Sequence, residues 1–316
     1  MRRFFRKAIF SLPIVPIKTG NGLVRGNLGK GLRMRKGLIV VGGIAVCLLF
    51  SGFSALCQEV PSTLATEAPR VASVAQTPEV DEHPLMPVLR WAERERPNIA
   101  AIRDYTAMMQ KQERINGEIQ EAQVLEVKVR HEPFSVYLRF RYPARLSGQQ
   151  AIFVSGQNDD RVVGHGVGIE RLAGTQFLEP TSFFAMRGQK YPITEMGILN
   201  LVDTLLRVGR LDAQLPGEVD VRYFEDVRFG SGDSARMCTV IQVTNRTRHP
   251  QHMFHIARIF VDKELNLPIR YESFDWPRRE GESPQLIEVY TYLNLRLNVG
   301  LTDLDFDHRN PAYNFP

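Results

Sequence analysis

The sequence predicts an α+β fold in which helices cover one face of a strongly curved antiparallel sheet. Alternating apolar and polar residues recur in about nine or ten short runs between Tyr105 and Leu297, the period of half-buried strands. One amphipathic helical segment precedes these runs and another interrupts them. The 316 residues are 43% hydrophobic and 24% charged, the composition of a chain that closes a packed core.

The first element is an address. Ten of the 40 Lys and Arg lie in residues 1–58 and none of the 35 acidic residues do, so the remainder holds 30 basic against 35 acidic side chains, a net charge of −5. The overall +5 therefore belongs to the N-terminus, and no global electrostatic case for a nucleic-acid partner remains. Behind Arg33, Arg35 and Lys36 the chain is uncharged from Gly37 to Gln58 and ends in small residues, the order of a secretory signal. Residues 1–57 read as a basic region followed by a signal peptide or an anchor. Met34 is the expected initiator, because a start there places MRK directly before the apolar run. A cleaved signal makes the body periplasmic or otherwise exported; an uncleaved run, 37–55, anchors it to the inner membrane, which is then its only membrane contact. Processing is expected before Gln58, with Ala55 and Cys57 at the −3 and −1 positions. N-terminal sequencing of the mature protein checks this, since a chain that begins at Met1 or Met34 has kept its anchor.

Residues 58–83 are rich in Pro, Ala, Ser and Thr without periodicity and read as a flexible linker. The folded domain, 84–316, opens with a helix that places Leu85, Val88, Leu89 and Ala92 on one face before Pro97 interrupts it. Asn116-Gly117 is the strongest hairpin signal, between the Tyr105–Ile115 strand and VLEVKV. In PFSVYLRFRYP, Phe134, Val136, Leu138, Phe140 and Tyr142 make a dry face and Ser135, Tyr137, Arg139 and Arg141 a wet one. AIFVSG and RVVGHGVG add a hairpin, and an amphipathic helix follows from about Thr194 to Val208. Five strands complete the pattern, two of them joined by the turn DKELNLP.

Chemistry is sparse. Gly164, Gly166 and Gly168 follow a strand, but Ile169 stands where a dinucleotide fingerprint needs glycine. His249, His252 and His255 invite a zinc site, but Pro250 opposes the helix that would align them; the competing reading is a solvated turn. Asp303, Asp305 and Asp307 alternate with Leu304 and Phe306, as calcium ligands or as the wet face of an edge strand. Cys238 is alone in the body, so stability rests on the core. No GxSxG, HExxH, CxxC or P-loop occurs. The expectation is a protein that is not an enzyme and needs no cofactor or metal.

The Tyr105 strand with its Asn116-Gly117 turn, PFSVYLRFRYP, the hairpin IFVDKELNLPIRYESFD, and the ending with Tyr292, Asn294, Leu301 and Phe306 resemble the outer-membrane lipoprotein carrier superfamily. That LolA-like fold includes the N-terminal domain of periplasmic stress sensors. More specifically, the chain resembles a bacterial family of unknown function with a PFSVYLRF-type strand. The resemblance implies an incomplete barrel whose helical lid covers the concave face and an apolar cavity for acyl chains. The expected function is an exported, non-enzymatic binding or carrier protein for a lipid, lipoprotein or other apolar ligand. The alternative is a tethered envelope sensor or scaffold that binds a protein partner. The expected cavity wall is Val127, Val136, Leu138 and Phe140 on the strands, facing Phe183, Phe184, Met196, Leu199 and Val202 from the insertion.

Overall fold

The structure, a computed structural model, describes residues 82–232 and 235–316. The signal or anchor, the start at Met34 and most of the linker lie outside these residues. Helix α1 (Met86–Ala100) precedes strands β1 (Asp104–Ile115), β2 (Glu118–Ile119), β3 (Gln123–Arg130) and β4 (Ser135–Tyr142). Strands β5 (Gln150–Val154), β6 (Val162–His165) and β7 (Gln176–Leu178) lead to helix α2 (Ile198–Asp212). Strands β8 (Val219–Phe229), β9 (Arg236–Asn245), β10 (Ile256–Asp262), β11 (Leu267–Asp275) and β12 (Gln285–Leu297) follow.

The strands form one antiparallel sheet ordered β7-β6-β5-β4-β3-β1-β12-β11-β10-β9-β8, with β2 paired to β1. Twelve strands exceed the nine or ten expected, because β2 and β7 have two and three residues, too few to show an alternation. The ordering leaves β7 and β8 as edges, so the barrel stays open. Register shifts interrupt five of the strand pairings. Each such bulge adds local twist and bend, which curls the sheet around its apolar face. The β1–β2 turn has Asn116 at φ 52° and Gly117 at φ 84°, the two left-handed positions of a primed hairpin turn.

Helix α1 runs through Pro97 to Ala100 rather than stopping there. A proline near the end forfeits one backbone bond; its own carbonyl still accepts from Ala101 N at 3.0 Å, and buried Ile99 holds the last turn against the core. Helix α2 starts at Ile198, four residues later than the periodicity suggested, because Thr194 lies in a 3-10 turn and Gly197 resets the chain at φ 113°, ψ 160°. The Ile198 amide donates to the buried Tyr105 hydroxyl at 2.9 Å, which ties the start of α2 to β1. A side chain at Gly197 meets that hydroxyl at 3.1 Å in a conformation L-residues avoid. Gly197→Ala is expected to lower stability by about 1–3 kcal/mol, read from the midpoint of denaturant unfolding.

Both helices pack over strands β9 and β10, where Val202 and Leu206 join Val243, Ala257 and Ile259 in the main core. The opposite face expected to be wet on β4 is dry at Tyr137, which is buried beneath Tyr313 with ring centroids 4.1 Å apart and planes within 15°. The C-terminal segment covers this side of β4 and β5, so alternation there marks two cores rather than a core and solvent.

Candidate functional site

The two helices cover the concavity over β9 to β11. Over β1, β4–β6, β12 and the rest of β11 the cover is instead the long segment between β6 and α2, and beneath it lies a cavity of about 730 Å³. Its apolar wall includes Met109 on β1, Leu138 and Phe140 on β4, and Leu201, Leu205 and Val208 on α2.

Of the residues the sequence assigned to the wall, Leu138, Phe140, Phe184 and Met196 are on it. Val127 and Val136 are not. They share the face of Leu138 but sit toward the end of the strands where Tyr105 pairs with Val129, and there the start of α2 closes directly on the sheet. Leu199 packs against that same core, and Val202 lines a separate void of about 60 Å³ between the helices and β9–β10. Phe183 points away and is 75% exposed, edge-on to Phe184, because adjacent side chains in this irregular segment diverge.

The other end of the cavity is polar. Register puts Lys111 opposite Tyr290 and Glu113 opposite Glu288 across the β1–β12 pair. Lys111, Glu113 and Glu288 are all buried, at 5%, 4% and 5% exposure. Two facing carboxylates repel, so the arrangement needs cations between them. Lys111 Nζ lies 3.1 Å from Glu113 Oε2, and Lys190, from the covering segment, places Nζ 2.6 Å from Glu288 Oε2. Glu113 also accepts from the Lys190 amide at 3.1 Å and from the Tyr290 hydroxyl at 2.6 Å. Glu288 accepts from Tyr191 and Ser273, each at 3.3 Å. Burial lowers the Lys111 pKa, and the neighbouring Glu113 works against that shift. Burial together with the Glu288 and Glu113 charges drives the Tyr290 hydroxyl well above its ordinary range.

Sequence reasoning missed this cluster, although a signal was present. In β1, Tyr105, Ala107, Met109, Lys111 and Glu113 are in phase, and the burial pattern keeps all five inside. Two charges in register with an apolar stripe are the buried-polar anomaly that merits notice over any exposed apolar residue.

The other candidates resolve into structure. The aspartates do not form an extended edge strand: Asp303–Phe306 is a 3-10 turn in which Thr302 and Asp305 make a reciprocal cap. Asp305 meets Lys128 at 2.7 Å, Asp303 meets Arg130 at 2.7 Å and Asp307 meets Arg309 at 2.7 Å, so the three carboxylates serve three different cations. The Arg309 guanidinium holds Asp307 down at about 2. His252 and His255 stack on Trp276 with ring centroids 6.2 and 5.1 Å away. Among the described residues, no three His, Cys, Asp or Glu side chains are grouped to hold a metal ion. Gly164 belongs to β6 and Gly168 begins a short 3-10 turn, without the helix a dinucleotide loop requires. Among the described residues no helix is long and apolar enough to cross a membrane.

No curated protein matches this sequence. Similar solved structures include a LolA superfamily protein from Nitrosomonas europaea, at 11% identity over 68% of this chain and 97% of that one, with a TM-score of 0.29. The lipoprotein LppX of Mycobacterium tuberculosis is similar at 10% identity over 70% and 100% of the two chains, with a TM-score of 0.38. A DUF1329 family protein from Desulfovibrio piger is similar at 15% identity over 72% and 98%, with a TM-score of 0.35. The model of a family described as protein of unknown function (DUF1571) matches residues 102–315, a span that takes in every strand of the sheet, and the chain belongs to that family.

Proposed function

We propose that this chain is an exported, non-enzymatic binding or carrier protein for a lipid, a lipoprotein acyl chain or another apolar ligand. The observation that carries the reading is the cavity of about 730 Å³ with Met109, Leu138, Phe140, Leu201, Leu205 and Val208 on its wall. Small-molecule pockets span roughly 300–1,000 Å³, with mostly apolar walls and a few placed polar groups. Each ligand methylene transferred from water into such a wall gains about 0.8 kcal/mol, so a long chain binds without ionic help. The N-terminal segment supplies export, and the linker after it leaves the domain free in the envelope or tethered at the inner membrane. Mass spectrometry of organic extracts from natively purified protein is expected to find a lipid in about one copy per chain. Extracts free of lipid, with no acyl probe taken up afterwards, would sink the carrier reading.

One observation favours the second reading, recognition of an envelope protein. Ile169, Leu172, Phe177, Phe183 and Phe184 are all substantially exposed within one stretch beside the cavity. Large apolar side chains clustered at a surface mark interaction sites more often than isolated ones do. Affinity capture from envelope extracts separates the two, since a stoichiometric partner on lipid-free protein supports recognition and lipid without a partner supports carriage.

A further inference from the structure

The polar end of the cavity is built around a charge balance. Four Lys or Arg side chains line the cavity and each faces a carboxylate: Lys111 with Glu113, Lys190 with Glu288, Arg145 with Glu121 and Arg187 with Glu170. A carboxylate or phosphate entering this cavity meets no cation that is not already opposed. It would also lie against Glu113 and Glu288, which are buried and face one another. Taking a further anion out of water beside them brings desolvation without a compensating charge.

The hydrogen-bond capacity points the same way. A carboxylate offers about four acceptor sites and an ammonium three donors. Glu113 accepts from Lys111, the Lys190 amide and Tyr290, and Glu288 accepts from Lys190, Tyr191 and Ser273, so each keeps about one acceptor site. Lys111 donates to Glu113 and Gln189 and Lys190 donates to Glu288, which leaves them about one and about two donors. Donors and acceptors left side by side suit hydroxyl groups, which do both. An anionic head only accepts and satisfies neither glutamate.

We propose that this cluster is the head-group subsite of the cavity, and that it takes an acyl-chain amphiphile with an uncharged, hydroxyl-bearing head of the monoacylglycerol type in preference to a free fatty acid. The proposal rests on the carrier reading and narrows it: the apolar wall takes the chain, and Lys111, Glu113, Lys190 and Glu288 select the head.

The test uses the full-length protein stripped of lipid, a fluorescent acyl probe bound in the cavity, and displacement by monooleoylglycerol or by oleate at neutral pH below their aggregation limits. Monooleoylglycerol is expected to displace the probe at a concentration at least tenfold lower than oleate. Glu288→Gln leaves Lys190 without its carboxylate and is expected to shift the ratio toward oleate by about tenfold. Lys190→Gln, at the less buried end of the same pair, is expected to shift it the other way and stands in if Glu288→Gln does not fold. Equal or better displacement by oleate in the unaltered protein overturns the proposal while leaving the carrier reading intact. A ratio that neither variant moves overturns it as well. Failure of any acyl probe to bind removes the carrier reading together with it.

Discussion

Leu138→Glu is expected to abolish ligand retention and to lower the stability of the domain by several kcal/mol. Leu138 is buried on β4 between Val127 of β3 and Ala151 of β5, and its side chain lines the cavity. The substitution forfeits about 1.5–3 kcal/mol of apolar burial and adds a carboxylate without a partner, which costs about as much again or more. Burial raises the pKa of such a group in the folded state above its unfolded value. The unfolded chain releases that proton first as pH rises, so the penalty is small below the unfolded pKa and grows until pH passes the folded one. Thermal unfolding is therefore expected to separate the variant from the parent far more at pH 8 than at pH 4. Leu138→Met, which conserves volume and polarity, is expected to keep both lipid and stability. A Leu138→Glu protein that melts with the parent at pH 8 and retains lipid would show that this wall is not part of the ligand site.

Truncation after Gly300 is the second large effect. The lost segment carries Phe306 and Tyr313, both buried against Tyr137, Ile152 and Val154. It also carries Asp305, whose carboxylate meets Lys128, and the Tyr313 hydroxyl, which accepts from the same ammonium at 3.0 Å. Removing two buried aromatic side chains forfeits roughly 3–6 kcal/mol at about 1.5–3 kcal/mol each. For a domain of this size that corresponds to a fall in melting temperature on the order of 10 °C. Tyr137 and Ile152 become exposed on the convex side, so binding of a hydrophobic dye is expected to rise. The apolar wall at Leu138 and Phe140 faces away from the segment, but Gln150 and His165 at the cavity's edge lose their contacts to Tyr313 and Phe315, so acyl-probe binding by the fraction still folded is expected to weaken without disappearing. Loss of probe binding without loss of stability would instead place the segment in the ligand site.

The sheet was legible because its strands alternate cleanly: β3 reads buried and half-buried in strict turn, as Leu125, Val127 and Val129 suggested. The central helix was legible from Ile198, Val202 and Leu206, which are all buried. Depth was less legible. Alternation says which residues share a face, not how far along that face a helix descends, so Val136 and Leu138 looked alike: both are core, but Leu138 alone of the two lines the cavity. The wet face of β4 was misjudged because its cover comes from residues more than 160 positions later, at Tyr313. The aspartates misled for a local reason: their spacing of two fits an extended strand, but the reciprocal cap between Thr302 and Asp305 winds the chain instead. The polar cluster is assembled from β1, β11, β12 and the covering segment, and only register brings Glu113 opposite Glu288.

The pairing of β1 with β12 at the middle of the sheet joins nearly the two ends of the domain, Tyr105 to Leu297. The strands on either side, β3 to β7 and β8 to β11, run as consecutive neighbours and close short loops. Loop closure over almost the whole domain carries the larger entropy penalty, so the central seam is the slowest ladder to form. A nascent chain lacks its middle pair until the last strand has been synthesised. On the export route proposed above, that delay keeps the two half-sheets apart and the chain in a transportable state.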